Sequence, residues 1–176
     1  NENNINRKIE YKKNSIIKNE GIHTVLMKHQ DRSQTSIEEF EIIKKIIDQL
    51  IGSEFTDFDK LKRKINVDDI LIVSPYNVQV NFLKERLIKG IRCGTIDKFQ
   101  GMEAPIVIIS MTSSSVEDLP RNKKFFFNRN RLNVAISRAQ CASIILINPK
   151  LLENSPADLE EFKLINNFQK LMKYEN

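Results

Sequence analysis

The sequence predicts an α/β domain, a central and mostly parallel sheet with helices on both faces, and two observations carry the prediction. Short, largely apolar runs rich in β-branched residues recur at Thr24–Lys28, Asp69–Val73, Pro105–Met111 and Ala142–Ile147. Such runs, apolar without alternation, read as strands buried on both faces. Between them lie stretches with helical spacing, and strands alternating with helices wind into a parallel sheet. A chain of 176 residues, 40% apolar and 29% charged, is long enough to bury one real core.

Each element follows from local chemistry. Asn1–Gly21 is rich in Asn and Lys and is expected to be a poorly ordered upstream flank, leaving 22–176 as the domain. Thr24–Lys28 is the first strand. His23 and His29 flank it with no carboxylate or cysteine at ligand spacing, so both read as plain strand-edge residues. Ser36–Ile51 is the clearest helix: Ser36 with Glu39 makes a capping box, and Phe40, Ile43, Ile47 and Leu50 form one apolar stripe. Gly52 ends it. Ser53–Asn66 reads as a polar, Lys-rich connection. Asp69–Val73 is a buried strand broken by Ser74-Pro75, after which Val80, Leu83 and Leu87 line a helix that stops at Gly90. Thr112–Phe127 reads as an irregular surface loop. Asn130–Ala139 is a helix, Ala142–Ile147 a strand closed by Asn148-Pro149, and Leu159–Met172 a final amphipathic helix with Leu159, Phe162, Ile165 and Phe168 on one side.

The net charge is +5. Basic residues dominate from Lys84 to Arg92 and from Arg121 to Arg138, a distribution that favours a phosphate-bearing partner. Cys93 and Cys141 have no metal-like spacing and read as buried thiols, suited to a reducing cytoplasm. No apolar run approaches membrane-spanning length, and Asn1–Asn19 has no signal-peptide pattern. No metal-ligand set is visible.

Three polar constellations fall at strand ends: Ser74-Pro75-Tyr76, Thr95 to Glu103, and Arg131 to Arg138. In a parallel sheet they are expected to converge on one edge, where ligands of open α/β sheets sit. The central stretch, GTIDKFQGMEAPIVIIS from Gly94 to Ser110, sets a polar, glycine-punctuated half beside an apolar strand. Taken alone it is equally a ligand loop or a solvated turn. Asp97 and Glu103 form a carboxylate pair with no third ligand or histidine partner. Singly, Ser74 and Thr95 are ordinary strand-end caps, and Arg138 is an arginine free to pair with a surface carboxylate. No Gly-rich phosphate loop exists in the chain.

The segments ILIVSPYNVQ, GTIDKFQGMEAPIVIIS and RLNVAISRAQ, in this order, resemble motifs of the second RecA-like domain of superfamily 1 helicases. The branch is that of the nonsense-mediated-decay RNA helicase and the replication helicase-nuclease. The wording is most similar to bacterial proteins that join a RecB-like nuclease to such a helicase. The resemblance spans roughly Gly21 to Leu152. It implies a RecA-like three-layer domain of the P-loop NTPase superfamily and assigns roles position by position. Arg138, in SRA, would be an arginine finger reaching the γ-phosphate of ATP from across an interdomain cleft. Gln100 and Gly101 would lie at that cleft, and Glu103 would bond the nucleotide ribose. Ser74 and Thr95 would contact the nucleic-acid backbone, with Pro75, Tyr76, Asp97 and Lys98 supporting that surface. Arg131 and Asn133 would brace the arginine-finger helix.

ATP with Mg2+ is then the implied cofactor, held mainly by a first motor domain whose Walker motifs this chain does not carry. The implied partners are single-stranded DNA or RNA, that first RecA-like domain, and a RecB-like nuclease in the same polypeptide, with no membrane. The chain alone is expected to be inactive as an ATPase and cytoplasmic. The alternative is a RecA-like domain serving as a non-catalytic docking module for nucleic acid or protein.

Overall fold

Apolar strands with no alternation of polarity have to be covered on both sides, and the computed structural model, which describes residues 7–11, 15, 17–119, 129–152 and 166, sets three of them at the centre of a five-stranded parallel sheet. In chain order the elements are β1 (Lys8–Glu10), β2 (Gly21–Leu26), α1 (Ile37–Leu50), β3 (Glu54–Thr56), β4 (Lys62–Lys64), β5 (Ile70–Val73), α2 (Asn77–Arg86), β6 (Arg92–Gly94), β7 (Ala104–Ser110), α3 (Arg129–Ser137) and β8 (Ala139–Ile147). Short 3-10 turns at Val67–Asp69, Ile96–Phe99 and Pro149–Leu152 join them.

The sheet order is β2-β8-β7-β5-β6, and every pairing in it is parallel. Every residue of β5 and β7 is buried, which is why neither alternates in sequence. On one face Ile70, Ile72, Ile106, Ile108, Ile144 and Leu146 pack against Ile43, Ile47, Val80 and Leu83 of α1 and α2. On the other, Leu71, Val107, Ile109 and Ile145 pack against Leu132 and Ala135 of α3 and against Phe99. Three layers result, and the fold is RecA-like α/β.

Two expectations change. The stretch taken as an unordered flank supplies β1, and the stretch taken as a Lys-rich connection supplies β3 and β4. Together they form a separate three-stranded antiparallel sheet in the order β1-β3-β4. Its reason to exist is burial: Ile9, Phe55 and Ile65 are among the most enclosed side chains of the chain and join the α1 side of the core. Ion pairs across the strands, Lys62 with Glu54 at 2.7 Å and with Glu10 at 3.4 Å, make the same segment look like a solvated connection in sequence. The segment after β7 also differs from the surface loop expected, because Thr112, Ser113 and Ser114 are buried. The rest of that loop beyond Leu119, and the helix expected over 159–172 except Asn166, lie outside the described residues.

Cys93 and Cys141 are free and buried. Burial pushes their thiols up to about 11 and about 12, so neither is a thiolate at neutral pH. Among the described residues no helix is long and apolar enough to cross a membrane.

Two glycines bracket the central crossover and do so for different reasons. A Cβ on Gly94 would come within 2.9 Å of the ring of buried Phe99, whereas Gly101 has open space around it but a φ of +80°. Gly94→Ala is expected to lower stability by about 1–3 kcal/mol through overpacking. Gly101→Ala should cost about 1–2 kcal/mol through backbone conformation alone. Urea unfolding of both variants checks this, and only Gly94→Ala should be relieved by also shrinking Phe99 to Leu.

Candidate functional site

A parallel sheet has two distinct edges, and the expected single site divides between them. The crossover over residues 94–103 leaves the C-terminal end of β6 and enters the N-terminal end of β7. Its first residues therefore lie on one edge of the sheet and its last on the opposite edge. The expectation that the three constellations converge on a single edge is corrected by this topology.

On the N-terminal edge stand Gln100, Gly101, Glu103 and Arg138. The pairing of β7 with β8 brings the last two together: Ala104 faces Ala139, and the Ala104 N–H donates to the Arg138 carbonyl at 3.0 Å. Glu103 is exposed, and Gln140 Nε2 donates to its Oε2 at 3.3 Å. Arg7 Nη1 donates to the Gln140 carbonyl at 3.3 Å, so Arg7 lies along this edge too. Arg138 is half-buried. Its Nε donates to the Val134 carbonyl at 3.3 Å, which anchors the base of the fork to its own helix. Its terminal nitrogens meet no carboxylate or other acceptor among the described residues, so the surface ion pair that an arginine ordinarily finds is not made. Gln100 and Gly101, three and two residues ahead of Glu103, are exposed on the approach to this edge.

On the C-terminal edge stand Ser74, Pro75, Tyr76 and Thr95. Ser74 is fully buried, its N–H donates to the Gly94 carbonyl at 3.1 Å, and its hydroxyl accepts from the Tyr76 N–H at 3.4 Å. That is the capping role of a strand-end serine: Ser74 shapes the turn that presents Pro75 and Tyr76. Tyr76 shares a hydrogen bond with Ser113 at 3.1 Å, and burial raises its phenol above the ordinary tyrosine value. Thr95 is half-buried, and its hydroxyl makes no hydrogen bond among the described residues. Lys98 and Asp97 are exposed on the 3-10 turn that follows. Arg131 of α3 reaches Asp97 at 3.5 Å and so ties that helix to the turn. Asn133 is exposed on the same helix.

What sequence reasoning missed is the buried polar network under the C-terminal edge. The Ser36 hydroxyl accepts the Glu39 N–H at 3.1 Å as a capping box requires. The return half is absent, because the Ser36 N–H donates to Gln79 Oε1 at 3.1 Å. Glu39 instead turns inward. Its carboxylate accepts from the Thr112 N–H at 2.9 Å and from the Ser110 hydroxyl at 2.5 Å, and lies 3.4 Å from His29 Nε2. Gln79 Nε2 donates to the same Ser110 hydroxyl at 3.0 Å, and His29 Nδ1 pairs with Ser114 at 2.7 Å. His29 is therefore a buried member of a network, not a plain strand-edge residue. Thr112 holds a φ of +63°, a left-handed conformation that is rare for a β-branched residue. A signal was present in sequence: Glu39 sits at the same helical phase as Ile43, Ile46 and Leu50, a charged residue on the apolar stripe.

The fold and its two edges define a RecA-like α/β domain with an open arginine at one edge and a polar turn at the other. A family model described as an AAA domain matches residues 3–150, and the chain belongs to that family. Similar curated proteins include an uncharacterized ATP-dependent helicase of Caenorhabditis elegans, 35% identical over 115 residues covering 65% of this chain and 7% of that protein. A probable RNA helicase of Drosophila melanogaster is 36% identical over 99 residues, 52% of this chain and 8% of its own length. A homolog of regulator of nonsense transcripts 1 from Arabidopsis thaliana is 33% identical over 106 residues, 54% of this chain and 8% of its own. The chain thus spans roughly a tenth or less of the length of these relatives.

Removing the carboxylate of Glu39 leaves several buried donors without an acceptor. Glu39→Ala is expected to cost about 3–5 kcal/mol in urea unfolding. The neighbouring exposed Glu41→Ala should stay within about 0.5 kcal/mol.

Glu38 gives a separate, pH-dependent expectation. The Arg32 guanidinium, hydrogen-bonded to both of its oxygens, holds its carboxyl at about 2, against an ordinary 4.5. A depressed acid stabilises the folded state above its unfolded value, so this contribution is present above about pH 4.5 and is lost as pH falls towards 2. The pair is more than one-third exposed, which keeps the gain below about 1 kcal/mol. Arg32→Ala should lose stability near neutral pH and converge on the parent protein at about pH 2, read by urea unfolding at both pH values.

Proposed function

We propose that the chain is the second motor domain of an ATP-dependent superfamily 1 helicase that acts on single-stranded DNA or RNA. The observation that carries this is the crossover itself: one short segment begins at Thr95 on the C-terminal edge and ends at Glu103 beside Arg138 on the opposite edge. A motor needs such a link between a nucleotide edge and a nucleic-acid edge. The names of the helicases that this chain is similar to support the same reading.

The residues fit a nucleotide at the N-terminal edge. Arg138 offers a planar fork, anchored at Nε and open at its terminal nitrogens, to a phosphate that approaches from a partner domain. When ATP is bound there, such a fork stabilises the charge that spreads over the transferring phosphoryl group. Glu103, steadied by Gln140, is an exposed acceptor for ribose hydroxyls. Gln100 and Gly101 lie between the two as the segment that responds to what occupies the edge. Mg2+ belongs in this reading to the first motor domain, with the Walker motifs. On the other edge, Thr95 offers a free hydroxyl, and Tyr76, Pro75 and Lys98 frame a surface for a sugar-phosphate backbone, with Ser74 and the Arg131–Asp97 pair behind it. A RecB-like nuclease in the same polypeptide and a cytoplasmic location complete the reading.

The test is Arg138→Ala in the polypeptide that carries the first motor domain. Hydrolysis is expected to fall by about three decades or more, and Arg138→Lys should not restore it, because a point charge lacks the fork. The chain of residues 1–176 by itself should hydrolyse no ATP above the buffer rate. If hydrolysis survives in a folded Arg138→Ala protein, the finger role is wrong, and a non-catalytic docking module becomes the better account.

A further inference from the structure

A cleft of about 240 Å³ opens on the C-terminal edge between the ends of β2 and β8, outside the positions assigned above. Met27 and Pro149 give it an apolar floor, and Lys28 and Lys150 stand exposed at its rim. We propose that this cleft is a further subsite for single-stranded nucleic acid, with one nucleotide on the apolar floor and its flanking phosphates on Lys28 and Lys150. The inference rests on the reading of the C-terminal edge as a nucleic-acid track and extends that track to the far side of the sheet.

Three observations support it. The first is charge. Neither lysine ammonium meets a carboxylate among the described residues, while nearby Arg32 is neutralised by Glu38 at 2.8 Å. Two uncompensated cations beside an apolar floor complement a strand that alternates base and phosphate.

The second is rigidity. Asn148 is buried and bonds both sides of the cleft: its Nδ2 donates to the His29 carbonyl at 2.7 Å, and its Oδ1 accepts the Lys150 N–H at 3.1 Å. The His29 ring behind that carbonyl is fixed by Ser114 and lies against Glu39. The walls are thus held open without a ligand, which lowers the ordering cost of binding.

The third is continuity. In the order β6-β5-β7-β8-β2, Thr95 stands over the first strand and Lys28 over the last. Four interstrand steps of about 4.8 Å separate them, or about 19 Å, a span that a strand of a few nucleotides crosses. The cleft is smaller than the roughly 300–1,000 Å³ of an enclosed small-molecule pocket, and it is open, as a track is.

The experiment measures anisotropy of fluorescein-labelled oligodeoxythymidine and oligouridine of about 16 nucleotides across a salt series, with the full chain. Lys28→Ala/Lys150→Ala is expected to weaken binding about tenfold and to reduce the slope of log affinity against log salt by about 1.4, the value for two single-strand phosphates. The control removes the same charge elsewhere: Lys44→Ala/Lys45→Ala, on the exposed side of α1, should change neither quantity beyond about a tenth of that effect. Photo-crosslinking with 4-thiouridine oligonucleotides should label residues at 27–30 or 148–150. Equal losses in the two double variants, or no loss in the first, would overturn the subsite while leaving the track reading in place. If the parent chain binds neither oligonucleotide at low salt and gives no crosslink, the track reading and the subsite fall together.

Discussion

The buried carboxylate of Glu39 is the constraint on which the C-terminal edge depends. Desolvation raises its pKa above the ordinary carboxylate value, and three contacts, from His29, Ser110 and Thr112, oppose that shift. A charge in such a place is tolerable only where its acceptor sites are filled, and here the filling groups come from the ends of two strands, with α2 joined to them through Ser110. Ser110 ends β7, His29 follows β2, and Gln79 of α2 reaches the same Ser110 hydroxyl. One side chain on the first turn of α1 therefore fixes how both helices of that layer meet the sheet. It also explains the backbone at Thr112. A left-handed β-branched residue is unfavourable by roughly 1–2 kcal/mol, and the hydrogen bond of its N–H to a buried carboxylate offsets that cost.

From Thr112 the constraint passes to the surface. The turn at residues 112–114 is sewn to the loop before α1, with the Ser113 hydroxyl donating to the Ser33 carbonyl at 2.6 Å and the Ser114 N–H to the Arg32 carbonyl at 2.8 Å. Ser113 then meets the Tyr76 hydroxyl, and Ser114 meets the ring of His29. The Tyr76 turn and the wall behind Lys28 are thus set by the same buried group. Loops at the end of a sheet are ordinarily its least fixed part, and a preorganised edge needs an internal reason to be rigid. Here the reason is polar, not apolar.

How far the sequence reveals this depends on the range of the interaction. β5, β7 and β8, α1, α2 and α3 are all legible, because their signals are local: an unbroken apolar run, an N-cap at Ser36, a stripe through Ile43 and Leu50. β1, β3 and β4 are not, because three-residue strands carry no periodicity and their charged residues pair across strands that sequence does not place together. Ser36 and Glu39 match a capping box and make only half of one, since Gln79, forty-three residues away, takes the other bond. The candidate positions Thr95, Glu103 and Arg138 are legible as motifs. Their division between two edges is not, because it follows from which end of β6 and β7 the crossover joins. Ser74 shows the opposite case: the motif marks the residue, and burial gives it a structural task.

The open fork of Arg138 is the complement of the filled carboxylate of Glu39. Both side chains are removed at least partly from water, yet one is saturated by its own fold and the other, among the described residues, is not. The N-terminal edge is fixed by backbone pairing, Ala104 to Arg138, and by a single bond to Nε, which leave the terminal nitrogens in place without satisfying them. Arginine keeps its charge under such conditions, where a lysine would shift its proton. A half-buried guanidinium with two idle nitrogens favours whatever brings negative charge across the gap, and the same crossover that carries Glu103 to this edge begins under the hydroxyl of Thr95 on the other. Midway along the segment the buried Phe99 ring packs against Gly94, so its two ends are held to one fixed point in the core.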